Sequence, residues 1–372
     1  MAARGHDVRV VTADVGAVQG YYEFGVKRVG PPLEVLNGVV VKRLPYCDVL
    51  YSIASRLYRS EYSGIVGRKL AWRMARYFRE KFHRAVETQI LDYQPDVVMT
   101  MPHLVTNVAA VVSAKIKCTF PLVIVPMLHE SDPNWNVPAM ARALKSADAV
   151  VAMTKYEIRR LVEAYEVPRD KIMLGSVGVD IPSSVDWKER PPRVVYLGRK
   201  ARSKGINVLI DAMRQVWNVI PEAELWLAGV RLPETVEIDR QVAALPDEQR
   251  TRVKDFGTVH GRAKNELLQS ARCLVLPSRI ESFGMVLLDA WANGTPVVVW
   301  DRPLFRDIVQ DGVDGLLASP DGPMGLADAI RPLLEDGPLA MSMGRSGYEK
   351  VRSRYSWNKV TNAYLDAYQG II

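Results

Sequence analysis

Two successive series of short apolar strands alternating with helical stretches, parted by a proline-rich break, limit most tightly what this chain folds into. The first series is residues 8–12, 39–44, 97–101, 122–127 and 149–153. The second is 193–197, 224–228, 253–256, 273–276 and 296–300, followed by Leu316-Leu317, with helical stretches such as 206–219 between its strands. Apolar strands joined by helical crossovers form parallel sheets covered on their faces by helices. The break, residues 181–192, carries three prolines, two serines and several charges, the composition of an interdomain linker. The pattern therefore predicts an α/β chain with two doubly wound domains facing a cleft, 1–184 and 185–355. A last helical stretch, 356–372, brings Trp357, Val360, Tyr364, Leu365 and Tyr368 to helical spacing.

The length of 372 residues exceeds one ordinary core and fits two domains. Cys47, Cys118 and Cys273 lie far apart without a metal-type spacing, which fits a reducing cytosol and no zinc site. No Gly-x-Gly-x-x-Gly follows a strand, and Gly198 to Lys204 lacks the glycine before lysine of a Walker loop, which argues against NAD enzymes and NTPases. No apolar run approaches the ~18 to 20 residues that span a bilayer. The opening Met1-Ala2-Ala3-Arg4-Gly5-His6 is not a secretory signal, so a soluble or peripheral cytoplasmic protein is expected.

Two strand-to-helix turns carry the chemistry. In the first, strand 273–276 leads through Pro277, Glu281, Ser282 and Gly284 into a helix over 285–292, ended by Asn293-Gly294. Ser282 is the expected N-cap. A helix N-terminus offers unpaired N–H groups and partial positive charge, and Gly284 lets a ligand approach the backbone, which suits phosphate or sugar oxygens. Glu281 either complements the helix dipole or accepts bonds from ligand hydroxyls. Asp289, among Val286, Leu287, Leu288, Ala290 and Trp291, either reaches solvent or needs a partner. In the second turn, strand 193–197 leads into Gly198-Arg199, Ser203-Lys204-Gly205 and an apolar helix. Two cations before a helix N-terminus form either a diphosphate receptor or a solvated basic loop.

Glu281 with Asp289 resembles the Glu-x7-Glu signature of glycosyltransferase family 4, retaining sugar-nucleotide-dependent transferases of two-domain GT-B fold. Gly198-Arg199 with Lys204-Gly205 resembles that family's Gly-Arg and Lys-Gly pair. Further matches run along most of the chain: Arg4-Gly5-His6-Asp7-Val8, Ala147-Asp148-Ala149-Val150, Gly178-Val179-Asp180, Phe256-Gly257-Thr258-Val259 and Asp311-Gly312. The resemblance implies that Arg199 and Lys204 hold the donor diphosphate and that Glu281 orients the donor sugar. It further implies that His129 faces that sugar, that backbone around Val259 reads the nucleobase, and that Gly198, Phe283, Gly284, Met285, Val286 and Asp289 bind the donor. His6, His83, His103 and His260 receive no role.

The expected activity is transfer of a sugar, with retention, from a UDP- or GDP-sugar to a glycan or lipid-linked acceptor, without metal or other cofactor and without nucleic acid. An epimerase of the same fold and a noncatalytic nucleotide-sugar-binding protein are the alternatives. Three departures from the family stand out. Asp289 replaces a Glu, Pro303-Leu304-Phe305-Arg306-Asp307 stands where paired glycines before a Glu are common, and the family's first strand and glycine-rich loop have no counterpart after Met1. Omission of an inner strand leaves two rows of backbone groups unpaired, so either a natural start upstream of Met1 or descent from a truncated coding sequence is expected.

Between Ser55 and Ala85 nine basic residues stand against two acids, so this stretch alone accounts for the chain's net charge of +7. Leu70, Trp72, Met74, Tyr77, Phe78, Phe82 and Val86 alternate there with cations such as Arg68, Lys69, Arg73 and Arg76. This is either a basic cover on an ordinary helix or a peripheral helix that meets an anionic membrane or a lipid-linked acceptor.

Overall fold

The computed structural model describes residues 1–13, 31–44, 80–101, 105–128, 138–232 and 234–372. They form two compact units, one of Met1–Pro126, Asn136–Val150 and Tyr368–Ile372, the other of Met127–Trp135 and Val151–Ala367.

The strands expected in the first half are all present, divided between two sheets. In the first, β3 (Val39–Leu44) lies between β1 (Arg9–Ala13), its parallel partner with Arg9 opposite Val40, and β2 (Leu33–Leu36), its antiparallel partner. Asn37 and Gly38, with φ of 51° and 80°, make the two-residue turn that joins β2 to β3. The second sheet runs β4 (Val98–Thr100), β5 (Leu122–Ile124), β6 (Ala149–Ala152) and β7 (Ile172–Leu174), with β4, β5 and β6 parallel and the boundary between the units inside β6. The expectation of one parallel sheet is corrected here: β1 and β4 are each an edge among the described residues, and β2 runs antiparallel. No described strand lies between β1 and β4 to join their ladders.

The second half forms one parallel sheet in the order β10 (Val253–Asp255), β9 (Glu224–Ala228), β8 (Arg193–Leu197), β11 (Cys273–Leu276), β12 (Val297–Trp300) and β13 (Gly315–Ala318). The winding starts at β8, proceeds outward to β10, then returns to β11 on the other side of β8. Ligands of such sheets bind beyond the C-terminal ends of the two strands where the order reverses. These are β8 and β11. Helix Ile206–Trp217, with Ile206, Leu209, Ile210 and Met213 fully buried, packs with helix Pro323–Glu335 on one core of the sheet.

The proline-rich break is clasped rather than loose. Arg190 Nη1 donates to Ala271 O at 3.0 Å and to Thr295 Oγ1 at 2.7 Å, and its Nη2 donates to Asn293 O at 2.9 Å. Burial pulls this guanidinium down to about 10 against the opposing charge of Asp186. Arg272, itself buried, donates to Arg190 O and Leu334 O and pairs with Glu189 at 3.0 Å. Trp187 meets the Tyr348 ring edge-on at 5.4 Å. The last helix, Trp357–Gln369, buries Val360, Tyr364 and Tyr368, and Trp357 Nε1 donates to Asp180 at 2.9 Å.

Candidate active site

Both turns leave the sheet at the reversal of strand order, one from β8 and one from β11. After β8 the chain makes a 3-10 turn over Arg202–Lys204 and enters the helix through Gly205 at φ 73°. A Cβ on Gly205 would lie 1.9 Å from Pro277 O, so only glycine lets this turn close against the end of β11. Arg279 N donates to Ser203 O at 3.0 Å and fastens the two turns directly.

That closure brings together the Lys204 and Glu281 side chains. Lys204 Nζ pairs with Glu281 Oε1 at 2.6 Å and donates to Ile280 O at 2.9 Å, with side chains only 10% and 13% exposed. Beneath them lies the buried Tyr196, whose hydroxyl donates to Arg199 O at 2.5 Å. Burial and then the charge of Glu281 push this phenol up, against the pull of Arg199, so it stays a neutral donor. Arg199 itself is exposed, and its guanidinium makes no ion pair or hydrogen bond with a described residue. A buried lysine paired with a carboxylate and an open guanidinium at a strand end can receive a dianionic group.

The helix after β11 spans Met285–Ala292 as expected, and its cap corrects the expectation. Ser282 is buried and caps nothing; Gly284, in the left-handed region at φ 85°, is the N-cap and no side chain bonds the first turn. The turn tightens because the Phe283 ring is drawn into the core beside Tyr355, at 6.1 Å between centroids. The Phe283 side chain is therefore withdrawn from the turn's surface, while Met285 is 57% exposed and Val286 half-buried. Asp289 does have a partner: Lys264 Nζ pairs with its Oδ1 at 2.5 Å. Gly198 bonds Ala228 O through its N–H at 3.0 Å at the mouth of β8, and Val259 follows β10 in a half-buried turn.

His129, the basic residues Arg68, Lys69, Arg73 and Arg76, and Trp72 among them lie outside the described residues. Two groups were missed by reading the sequence. Lys200, beside Arg199, is 1% exposed and ion-paired with Asp255. Glu157 is buried with its oxygens each 2.7 Å from a backbone N–H, those of Leu128 and Met153, and burial raises it to about 7 against the pull of those bonds. The pattern Thr154-x-x-Glu157 before a helix was a legible signal for the second, and Thr154 does cap helix Lys155–Tyr165. Among the described residues no three His, Cys, Asp or Glu side chains cluster to hold a metal, and no helix is long and apolar enough to cross a membrane.

The profile described as "Glycosyl transferases group 1" matches residues 180–350, and that described as "Glycosyltransferase Family 4" matches residues 1–182. A D-inositol 3-phosphate glycosyltransferase of Xylanimonas cellulosilytica is 29% identical over 256 residues, 64% of this chain and 60% of that protein. A phosphatidyl-myo-inositol mannosyltransferase of Mycobacterium leprae is 32% identical over 212 residues, 53% of this chain and 55% of that protein. The chain thus matches little more than half the length of these curated relatives. Among solved structures, sucrose-phosphate synthase of Thermosynechococcus elongatus superposes with TM-score 0.76 at 21% identity, over 99% of this chain and 90% of that one. Anabaena HepE in complex with UDP and glucose superposes with TM-score 0.68 at 16% identity, over 98% and 100%. By its two adjoining profiles, and with the fold of these solved structures, the chain belongs to the group 1 glycosyltransferases of GT-B fold.

Proposed function

We propose that the protein is a retaining hexosyltransferase that moves a sugar from a UDP- or GDP-sugar to a hydroxyl of a glycan or glycolipid acceptor, in cell-surface polysaccharide or glycolipid synthesis. The observation that carries this reading is the meeting of the Arg199 and Lys204 turn with Glu281 where the strand order reverses, Lys204 and Glu281 being 2.6 Å apart. The bond from the anomeric carbon to the diphosphate breaks, that to the acceptor oxygen forms, and the acceptor's hydroxyl proton passes to the departing diphosphate. Arg199 and Lys204 stabilise the charge growing on the departing diphosphate, fixed cations being most effective in a site poor in water. Glu281 accepts from sugar hydroxyls, and the uncapped helix start at Gly284, Met285 and Val286 adds N–H groups. Asp289 takes the ribose hydroxyls, the 256–259 turn reads the base, and His129 faces the sugar.

The UDP and glucose held by the HepE protein favour such a donor, and the inositol lipid and inositol phosphate in the relatives' names favour a phosphorylated or lipid-linked acceptor. The basic, aromatic-interleaved sequence around Arg68, Lys69, Trp72, Arg73 and Arg76 holds the enzyme on the anionic cytoplasmic face of the membrane. The chemistry needs no metal. The test is incubation with a panel of nucleotide sugars, alone, with inositol phosphates and soluble glycans, and with phosphatidylinositol vesicles, each with and without EDTA. Acceptor-dependent product with retained anomeric configuration, unchanged in EDTA, is expected. Donor conversion without acceptor would mean an epimerase, donor binding with no conversion a binding protein, and loss in EDTA restored by a divalent ion a metal enzyme.

A further inference from the structure

Three turns leave the C-terminal ends of β8, β9 and β10 side by side, and one buried lysine joins all of them. Lys200 lies in the β8 turn, directly after Arg199. Its N–H donates to Val230 O in the β9 turn at 3.0 Å, and its carbonyl accepts from Thr235 Oγ1 at 3.1 Å. Its ammonium, on a side chain 1% exposed, pairs with Asp255 at the end of β10. Asp255 in turn accepts from Gly257 N at 2.8 Å, inside the turn that runs on to Val259, and pairs with Arg231 of the β9 turn at 3.2 Å. Gly229 N donates to Gly257 O at 2.6 Å, closing the ring of contacts.

A buried lysine is costly to desolvate, and a chain keeps one where its partner bond fixes a geometry. The Asp255 carboxyl is held below its ordinary range: burial raises it, and the bonds from Lys200 and Gly257 and the charges of Lys200 and Arg231 outweigh that. Asp255 is therefore a carboxylate at neutral pH, facing the Lys200 side chain. Asp255 is 37% exposed whereas Lys200 is sealed, so the strut is anchored in the core and open at the 256–259 turn.

We propose that Lys200 is a positioning residue of the donor site: its ion pair with Asp255 fixes the 256–259 turn relative to the Arg199 and Lys204 turn, so that base and diphosphate of one nucleotide are gripped together. This rests on the donor reading above, which places the diphosphate at the first turn and the base at the second. Lys200 touches neither part of the donor; it sets the span between the groups that do.

The experiment is calorimetric titration of wild type, Lys200→Met and Asp255→Asn with UDP, GDP, ADP and inorganic diphosphate, with thermal unfolding of each protein alongside. Lys200→Met keeps the length of the side chain and removes the charge. Its affinity for the preferred nucleoside diphosphate should fall about tenfold, the scale of one charged hydrogen bond, while that for inorganic diphosphate changes less than about twofold. Asp255→Asn keeps an acceptor for Gly257 and should move the same ratio in the same direction by less, and it carries the test if Lys200→Met does not fold. Equal loss for both probes would make Lys200 a support of the phosphate turn alone and overturn the proposal, as would no loss for either. A wild-type protein that binds inorganic diphosphate and no nucleoside diphosphate would overturn the donor reading itself, before any variant is compared.

Discussion

The sheet of residues 193–318 and the sheet of residues 9–44 are both built from Val- and Leu-rich strands, yet they bury those side chains to different degrees. In the first, Val194, Val195, Leu225, Leu274, Val275, Val297 and Val298 are fully buried; in the second, Leu33 is 61% exposed, Val35 65% and Val10 41%. Strand hydrophobicity alone does not explain this, because Val and Leu dominate both. The connection does. Each step from β8 to β13 passes through at least one helix, whereas β2 and β3 are joined by a two-residue turn. Both turns of the candidate site leave the covered sheet.

Four measurements sharpen or break that contrast. The largest effect is expected at the site: Lys204→Ala should lower kcat about 10² to 10³-fold, the loss seen when one charge-stabilising donor is removed. Near-normal turnover would detach the cationic turn from the chemistry. In the covered sheet's core, Leu209→Ala should cost about 2 to 5 kcal/mol in denaturant unfolding, since a fully buried leucine leaves a cavity.

Glu157 gives a pH-dependent contrast. Its carboxyl titrates near 4.5 when unfolded and at about 7 in the fold, so the folded state binds the extra proton between those values. Its contribution is thus present below the unfolded value and lost as pH rises through about 7. Relative to Glu157→Gln, the wild type should lose about 3 kcal/mol of stability from pH 4.5 to pH 7, and parallel stability curves would refute the shift. The smallest effect belongs to the uncovered sheet, where Val35→Ala should change stability by no more than about 0.5 kcal/mol. A cost as large as that of Leu209→Ala would mean that something covers this face in solution.

The sequence made legible what is local. Strand, helix and strand over 273–300 were readable because apolar runs and Asn293-Gly294 set their ends, and the Gly198-Arg199 and Lys204-Gly205 pair marked the second turn. Hidden were the features made by distant partners. Ser282 looked like a cap by residue type, but burial of Phe283 beside Tyr355 moves the helix start to Gly284. Lys200 looked like one more cation of a basic loop, and only the winding of the sheet brings Asp255 to it. Strand β2 was overlooked although Asn37-Gly38 is a strong hairpin signal, because its four residues give too short a pattern. The residues of 181–192 read as a linker by composition, whereas Trp187 and Arg190 find their contacts eighty to one hundred and sixty positions further on.

That clasp bears on where the chain can be divided. A C-terminal half cut at Arg193, at the first residue of β8, would begin neatly on the sheet but leave Ala271 O, Asn293 O and Thr295 Oγ1 without the guanidinium that serves them. A half beginning before Val185 would carry its own clasp. Anyone dissecting the protein, or grafting this C-terminal half onto another N-terminal half, should treat Trp187 to Arg190 as the first turn of the lock and not as spare tether.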